Sequence, residues 1–128
     1  MGQPAAKQGD RVTAIDTHVV LTPQGPATFP HPFAGVLGGG LSSDVKISGR
    51  PAATVGSTAD NTPPHLPTTP GTSFQRPPSN KGTVQAGSPT VMINGKPAAR
   101  NGDKAFTCND PADLPDGTVV ATGTVLIG

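Results

Sequence analysis

The sequence contains no tryptophan, no tyrosine and no glutamate, and it has a single cysteine, Cys108. Its aromatic complement is Phe29, Phe33, Phe74 and Phe106, so a large aromatic-filled core is excluded. Only 33% of residues are hydrophobic. No stretch approaches the roughly 18 consecutive apolar residues of a membrane-spanning helix. Met1-Gly2-Gln3-Pro4 lacks the charged and apolar regions of a secretory signal, which predicts a chain that is soluble when made. Ala6 stands where a myristoylation motif takes Ser or Thr, so no lipid anchor is expected. Charge is scarce too: 13% of residues carry it and the formal net charge is +1, which leaves no basic stripe for nucleic acid. A lone cysteine cannot close an internal disulfide, so Cys108 is inert, reactive or a ligand.

What the chain has in abundance is turn formers, 17 Gly and 16 Pro among 128 residues, a level common in disordered sequences. Low charge argues against disorder, because little self-repulsion keeps the chain extended. The length predicts a single domain over residues 1–128 with a modest apolar core. No window keeps apolar residues at a 3.6-residue period free of Gly or Pro, so little or no helix is expected.

Self-similarity supplies the organisation. Ile47-Ser48-Gly49-Arg50-Pro51-Ala52-Ala53-Thr54-Val55-Gly56-Ser57 matches Ile93-Asn94-Gly95-Lys96-Pro97-Ala98-Ala99-Arg100-Asn101-Gly102-Asp103 at the same spacing. Joining the chain ends makes a third copy, Ile127-Gly128 followed by Gly2-Gln3-Pro4-Ala5-Ala6-Lys7-Gln8-Gly9-Asp10. The reading is a closed ring of three units cut inside one of them. Val45-Lys46-Ile47, Val91-Met92-Ile93 and Val125-Leu126-Ile127 read as short strands. Gly82–Ala86 and Gly117–Ala121 read as hairpin partners for the last two, and each repeated Gly as a positive-φ turn or close backbone approach. The fold expected is all-β, a small cone of short hairpins with pseudo-threefold internal symmetry. Residues 58–80 read as a long Pro-rich insertion without a convincing strand.

Pro97-Ala98-Ala99-Arg100, with Asn101-Gly102-Asp103 after it, resembles the motif that names the PAAR-repeat family, and the likeness runs through nearly all of the chain. Thr54 and Lys7 replace the Arg in the other two copies. The resemblance implies a pointed all-β cone with a bound zinc near its apex and mixed His and Cys ligation. It implies a base that caps the trimeric β-helical spike of type VI secretion systems and related contractile, phage-tail-like injection particles. Longer relatives can carry an effector domain beyond the cone; here Gly128 closes the last unit, so effector proteins would be bound separately.

The ligand types agree with that expectation. His18, His31, His65 and Cys108 are all the His and Cys of the chain, and structural zinc takes four such ligands, so the count fits one ion. His18 lies fourteen residues after Pro4, His65 fourteen after Pro51, and Cys108 eleven after Pro97, which predicts one ligand from the loop after each repeat. His31 would be the fourth. Taken singly, each His also reads as an ordinary surface or core residue, and Cys108 as a small buried hydrophobe. Prolines flank His31 and His65 and restrict their backbone. C-x-x-C pairs are missing. The mechanism expected is mechanical and non-enzymatic: a stiff tip, one chain per spike trimer, made in the cytoplasm, mounted on the particle and driven transiently through a target membrane. The alternative is a small zinc hydrolase, with Asp16 or Asp110 as base or as orienting groups for the ligands.

Overall fold

The computed structural model describes residues 2–128. The strands are β1 (Gln3–Pro4), β2 (Arg11–Thr22), β3 (Gly25–Gly39), β4 (Lys46–Ile47), β5 (Arg50–Pro51), β6 (Thr58–Asn61), β7 (Ser73–Phe74), β8 (Lys81–Val84), β9 (Met92–Ile93), β10 (Lys96–Pro97), β11 (Lys104–Thr107), β12 (Leu114–Val120) and β13 (Leu126–Ile127). Among the described residues there is no helix.

Each repeat unit opens with a two-residue-turn hairpin. Ser48-Gly49 joins β4 to β5 with φ of 52° and 81°, and Asn94-Gly95 joins β9 to β10 with φ of 53° and 78°. Both central residues have positive φ, the turn whose twist suits a tight hairpin. The third hairpin is assembled from the two ends of the chain: β13 pairs antiparallel with β1, Gln3 opposite Ile127 and Pro4 opposite Leu126. Ile47, Ile93 and Ile127 are buried to nearly the same degree, 7%, 6% and 7% exposed, and pack with Ala5, Ala52 and Ala98 in one apolar cluster at this base.

The Pro-Ala-Ala segments then meet around an axis. The amide of Ala6 donates to the Ala99 carbonyl (2.9 Å), that of Ala99 to Ala53 (3.0 Å), and that of Ala53 back to Ala6 (3.0 Å). Bridges Ala5–Arg100, Lys7–Ala52 and Thr54–Ala98 reinforce the cycle. All three central alanines are fully buried, and strands this close leave room for little more than a methyl group.

The rest of the repeated motif is a turn. The backbone amides of Lys7, Thr54 and Arg100 donate to the side chains of Asp10 (3.0 Å), Ser57 (2.9 Å) and Asp103 (2.7 Å), three residues on. Gly9, Gly56 and Gly102 carry φ of 91°, 93° and 90° in that turn, which L side chains rarely adopt. Those glycines donate to the carbonyls of Leu37, Val84 and Val119, which ties the base to the sheet above.

That sheet is a closed antiparallel ring in the order β12-β11-β8-β6-β3-β2, shut by β12 against β2 with Val119 opposite Val12. β7 is added outside the ring, along the far end of β2. Interior positions nearest the base are apolar: Val12, Phe33, Leu37, Ala59, Val84, Ala105 and Val119. Small residues make room for the one aromatic there; a Cβ on Gly35 would sit 2.7 Å from the Phe33 ring.

The threefold all-β architecture agrees with the repeat reading, but three details differ. Residues 82–86 and 117–121 contribute strands that pair within the ring and not with β9 or β13, because β9 is already partnered by β10 across the Asn94-Gly95 turn and β13 by β1. The first part of the Pro-rich stretch is a ring strand, β6, whose only apolar inward residue is Ala59. The long β2–β3 hairpin has weak apolar alternation, because inward positions Asp16, His18 and His31 are polar. Pro26, Pro30 and Pro32 fall on β3 beyond its pairing with β6, where that edge has no ladder partner to lose.

Ala99→Leu forces extra methylenes into the hydrogen-bonded cycle and should destabilise by about 1–3 kcal/mol in denaturant titration, against no more than about 0.5 kcal/mol for an exposed control such as Lys81→Gln. A circular permutant joining Gly128 to Gly2 by a short linker and opening near Gly71 should fold, because β1 and β13 are already paired. Deletion of residues 2–9, which removes β1, Ala6 and one of the three turns, should lower the melting temperature sharply; a truncated chain as stable as the permutant would refute ring closure.

Candidate metal centre

Inward residues of β2 are even-numbered, and between the apolar Val12 and Val20 they include Asp16 and His18. Register places His31 of β3 directly opposite Asp16. Cys108 follows β11, and the segment after it is stitched to β2: Asn109 Oδ1 accepts the Thr17 amide (2.6 Å), and the Asp110 amide donates to the Thr17 carbonyl (2.8 Å). His65 comes from the Pro-rich segment. Asn80 Oδ1 accepts both the His65 amide (2.8 Å) and Asn61 Nδ2 (3.1 Å), so hydrogen bonds as well as prolines order this stretch.

All four sequence-predicted residues converge in one buried layer above the apolar core. The imidazole centroids of His18, His31 and His65 form a nearly equilateral triangle, with sides of 5.1, 5.5 and 5.5 Å. One donor atom from each of Asp16, His18, His65 and Cys108 lies within 4.8 Å of the others. His31 sits beside that quartet with its nitrogens engaged elsewhere, Nδ1 3.0 Å from the Phe29 carbonyl and Nε2 3.1 Å from Thr68 Oγ1. The repeat spacing predicts a loop position for His18, whereas both His18 and His31 belong to strands.

Asp16 is the hub. Its Oδ2 lies 2.8 Å from His65 Nε2 and accepts from Cys108 Sγ at 3.3 Å, while Thr107 Oγ1 donates to Oδ1 at 2.5 Å. No Lys or Arg is among these partners, so a fully buried carboxylate has no fixed cation beside it. Such a charge is costly unless compensated. His18 gives a second sign. Asp110 Oδ2 lies 3.5 Å from its Nδ1 but outside hydrogen-bond alignment, and both buried ring nitrogens have no hydrogen-bond partner.

Burial pushes the His18 and His31 imidazoles below their ordinary range; for His18 the Asp110 charge opposes this in part. Burial, with the Asp16 charge behind it, pushes the Cys108 thiol up to about 11. Burial also acts to raise Asp110, but the Val19 amide, Arg76 and His18 outweigh it and hold that carboxyl below its usual range. These are neutral nitrogen donors and a thiol that ionises readily only against a cation, a donor set suited to a divalent metal. The group fits an ion: orphaned imidazole nitrogens, a carboxylate with no Lys or Arg beside it and a thiol share one layer.

Residues 75–128 match the PAAR motif family. The likeness covers less than half of the chain. The matched stretch contains Pro97-Ala98-Ala99-Arg100, the turn ending at Asp103, Cys108 and the ring-closing strand β12, whereas the three histidines lie before it. The PAAR family is one of structural components at the spike tips of secretion machines. No curated protein matches the chain. In the PAAR turn, Arg100 spans two elements: its guanidinium holds Asp103 Oδ1 at 2.8 Å and donates to the Gly128 carbonyl at 3.2 Å. Lys7 does the same for its own unit, reaching Asp10 and the Thr122 carbonyl, and Thr54 has no equivalent reach. Asn61, Asn80 and Thr107, which hold His65 and Asp16, were not singled out from the sequence; lone Asn and Thr residues beside Pro-rich loops carry no distinguishing pattern.

Proposed function

We propose that this chain is the metal-pinned tip of a contractile injection machine, either a type VI secretion system or a phage-tail-like particle. The observation that carries the proposal is a PAAR repeat folded into a pseudo-threefold base beneath a buried layer of three imidazoles and a thiol. The base presents three equivalent hairpin edges, with Met92 and Leu126 exposed at matching positions, as a match for one trimeric β-helical spike. Contraction supplies the work; the cone resists bending and concentrates force on a small area of target membrane. The chain is made in the cytoplasm, mounted on the particle and delivered outward, and effector proteins would associate with it as separate chains.

The ion is one structural zinc, held by His18, His31, His65 and Cys108. Zinc suits mixed imidazole and thiolate donors, and its two positive charges are balanced by the Cys108 thiolate and the Asp16 carboxylate. One observation favours a second reading of the fourth position: Asp16 already lies in the quartet of mutually close donor atoms, whereas His31 Nε2 faces Thr68. The zinc-hydrolase reading has no such support, and four protein ligands leave no position for a reactive water. Purified protein, metal-free or zinc-loaded, should be inactive on a panel of esters and peptides.

Elemental analysis of protein purified without added metal should find about one zinc per chain, and His65→Ala should lower both zinc content and melting temperature. A folded chain with essentially no metal sinks the pinning idea. His31→Ala and Asp16→Asn separate the two ligand sets: loss of zinc with the former alone supports three His and one Cys, and loss with the latter alone supports Asp16.

Docking is tested separately. Native mass spectrometry of the complex with a spike should give one chain per three spike chains. A 3:3 assembly would refute the idea that three nonidentical units imitate the partner's symmetry.

A further inference from the structure

We propose that Asp110, braced by Arg76, is a positioning residue that holds the His18 imidazole so that Nε2 is presented to the metal; this rests on the metal-centre reading above. His18 lies on β2 with its ring 1% exposed, and its Nδ1 faces Asp110 Oδ2 at 3.5 Å. Nδ1 is the nitrogen nearest this carboxylate; the two are not aligned for a hydrogen bond, but a small rotation of the ring would pair them and leave Nε2 for an ion. Ligating histidines commonly have a carboxylate or carbonyl at the second nitrogen, which fixes the tautomer and makes the ligand more basic.

The position of Asp110 is itself over-determined. Its Oδ2 accepts the Val19 amide at 2.9 Å, so the carboxylate is registered against the residue next to His18 in β2. Its Oδ1 accepts from Arg76 Nη2 at 2.8 Å and Nε at 3.2 Å, and the same Nη2 donates to the Asn109 carbonyl at 2.9 Å. Arg76 lies at the end of the Pro-rich segment, so one guanidinium clamps that segment to the strand connection carrying Cys108, Asn109 and Asp110. The clamp borders a cavity of about 280 Å³ lined by His18, Cys108, Arg76, Ser79, Asp110 and others, which leads from solvent towards two of the metal-binding residues. Releasing Arg76 would therefore loosen the orientation of His18 and widen the path by which metal leaves.

The test uses zinc itself, with the full chain and two variants. Asp110→Asn keeps the shape and a carbonyl for the Val19 amide but presents an amide in place of a carboxylate. Arg76→Gln leaves Asp110 intact and removes its brace. Competition with a chromophoric chelator should show zinc affinity weakened about 10–100-fold in Asp110→Asn and by a smaller factor in Arg76→Gln, with faster zinc release in both. Long-range proton–nitrogen spectra of the zinc-loaded wild type should assign a protonated Nδ1 and a metal-bound Nε2 to His18, with a displaced Nδ1 resonance in Asp110→Asn. A merely structural role for Asp110 would lower the melting temperature and leave this nitrogen signature unchanged. Wild-type affinity and spectrum in both variants, or a metal-bound Nδ1, would overturn the assignment while leaving the metal centre intact. Zinc-free wild type would overturn both.

Discussion

The structure hangs on a cycle of three backbone hydrogen bonds, Ala6 to Ala99 to Ala53 and back to Ala6, at which three Pro-Ala-Ala segments converge. The cycle sets the composition of the motif. Side chains larger than alanine would push the segments apart, and the proline before them fixes φ as each short strand enters the cycle. The positive-φ glycine afterwards turns the chain so that its amide reaches Leu37, Val84 or Val119 in the ring above. A sequence that bends this often cannot hold a helix, and its low hydrophobic content is tolerable because methyl groups and three isoleucines suffice to fill so narrow a base.

The other end poses the opposite problem. The ring above the base encloses an interior wide enough for Phe33 and Leu37, then rises into a layer where β2, β3, the Pro-rich segment and the β11–β12 connection all arrive with polar side chains. Apolar packing cannot hold that layer, since Asp16, His18, His31, His65 and Cys108 occupy it. Protein hydrogen bonds satisfy part of it, through Thr107, Asn61, Asn80 and Thr68. They leave both His18 nitrogens without a hydrogen-bond partner and the Asp16 carboxylate without a Lys or Arg beside it. Metal binding supplies stabilisation on the order of 10 kcal/mol in small zinc peptides, comparable to the whole stability of many domains, so one ion can replace an upper core.

Legibility in the sequence tracked periodicity. The threefold ring, the closure of the termini and the role of each repeated glycine were readable because identical spacings recur three times, and identical spacing demands identical backbone. The His and Cys set was readable as a set because there are no others to choose from. The β2–β3 hairpin was not readable, because the positions that should carry apolar alternation carry the polar centre instead. β6 was hidden for a related reason: facing Phe33, it needs only Ala59 and Asn61 on its inner side. Hydrogen-bonding partners such as Asn80 and Arg76 act across long sequence separations, so local pattern says nothing of them.

The insertion between β6 and β8 breaks the threefold plan, and the break has a physical use. A strictly threefold chain would bring three equivalent donors to the axis, one short of the four that a closed structural zinc site takes. The extra length lets the Pro-rich segment cross above the ring and bring His65 next to Asp16 from a direction that the strands cannot reach. It also brings Thr68 to His31 and Arg76 to Asp110. His31, opposite Asp16 on the long hairpin, stands beside that group. Symmetry therefore serves the base, where three like edges face outward, and is abandoned where a single asymmetric centre must be enclosed.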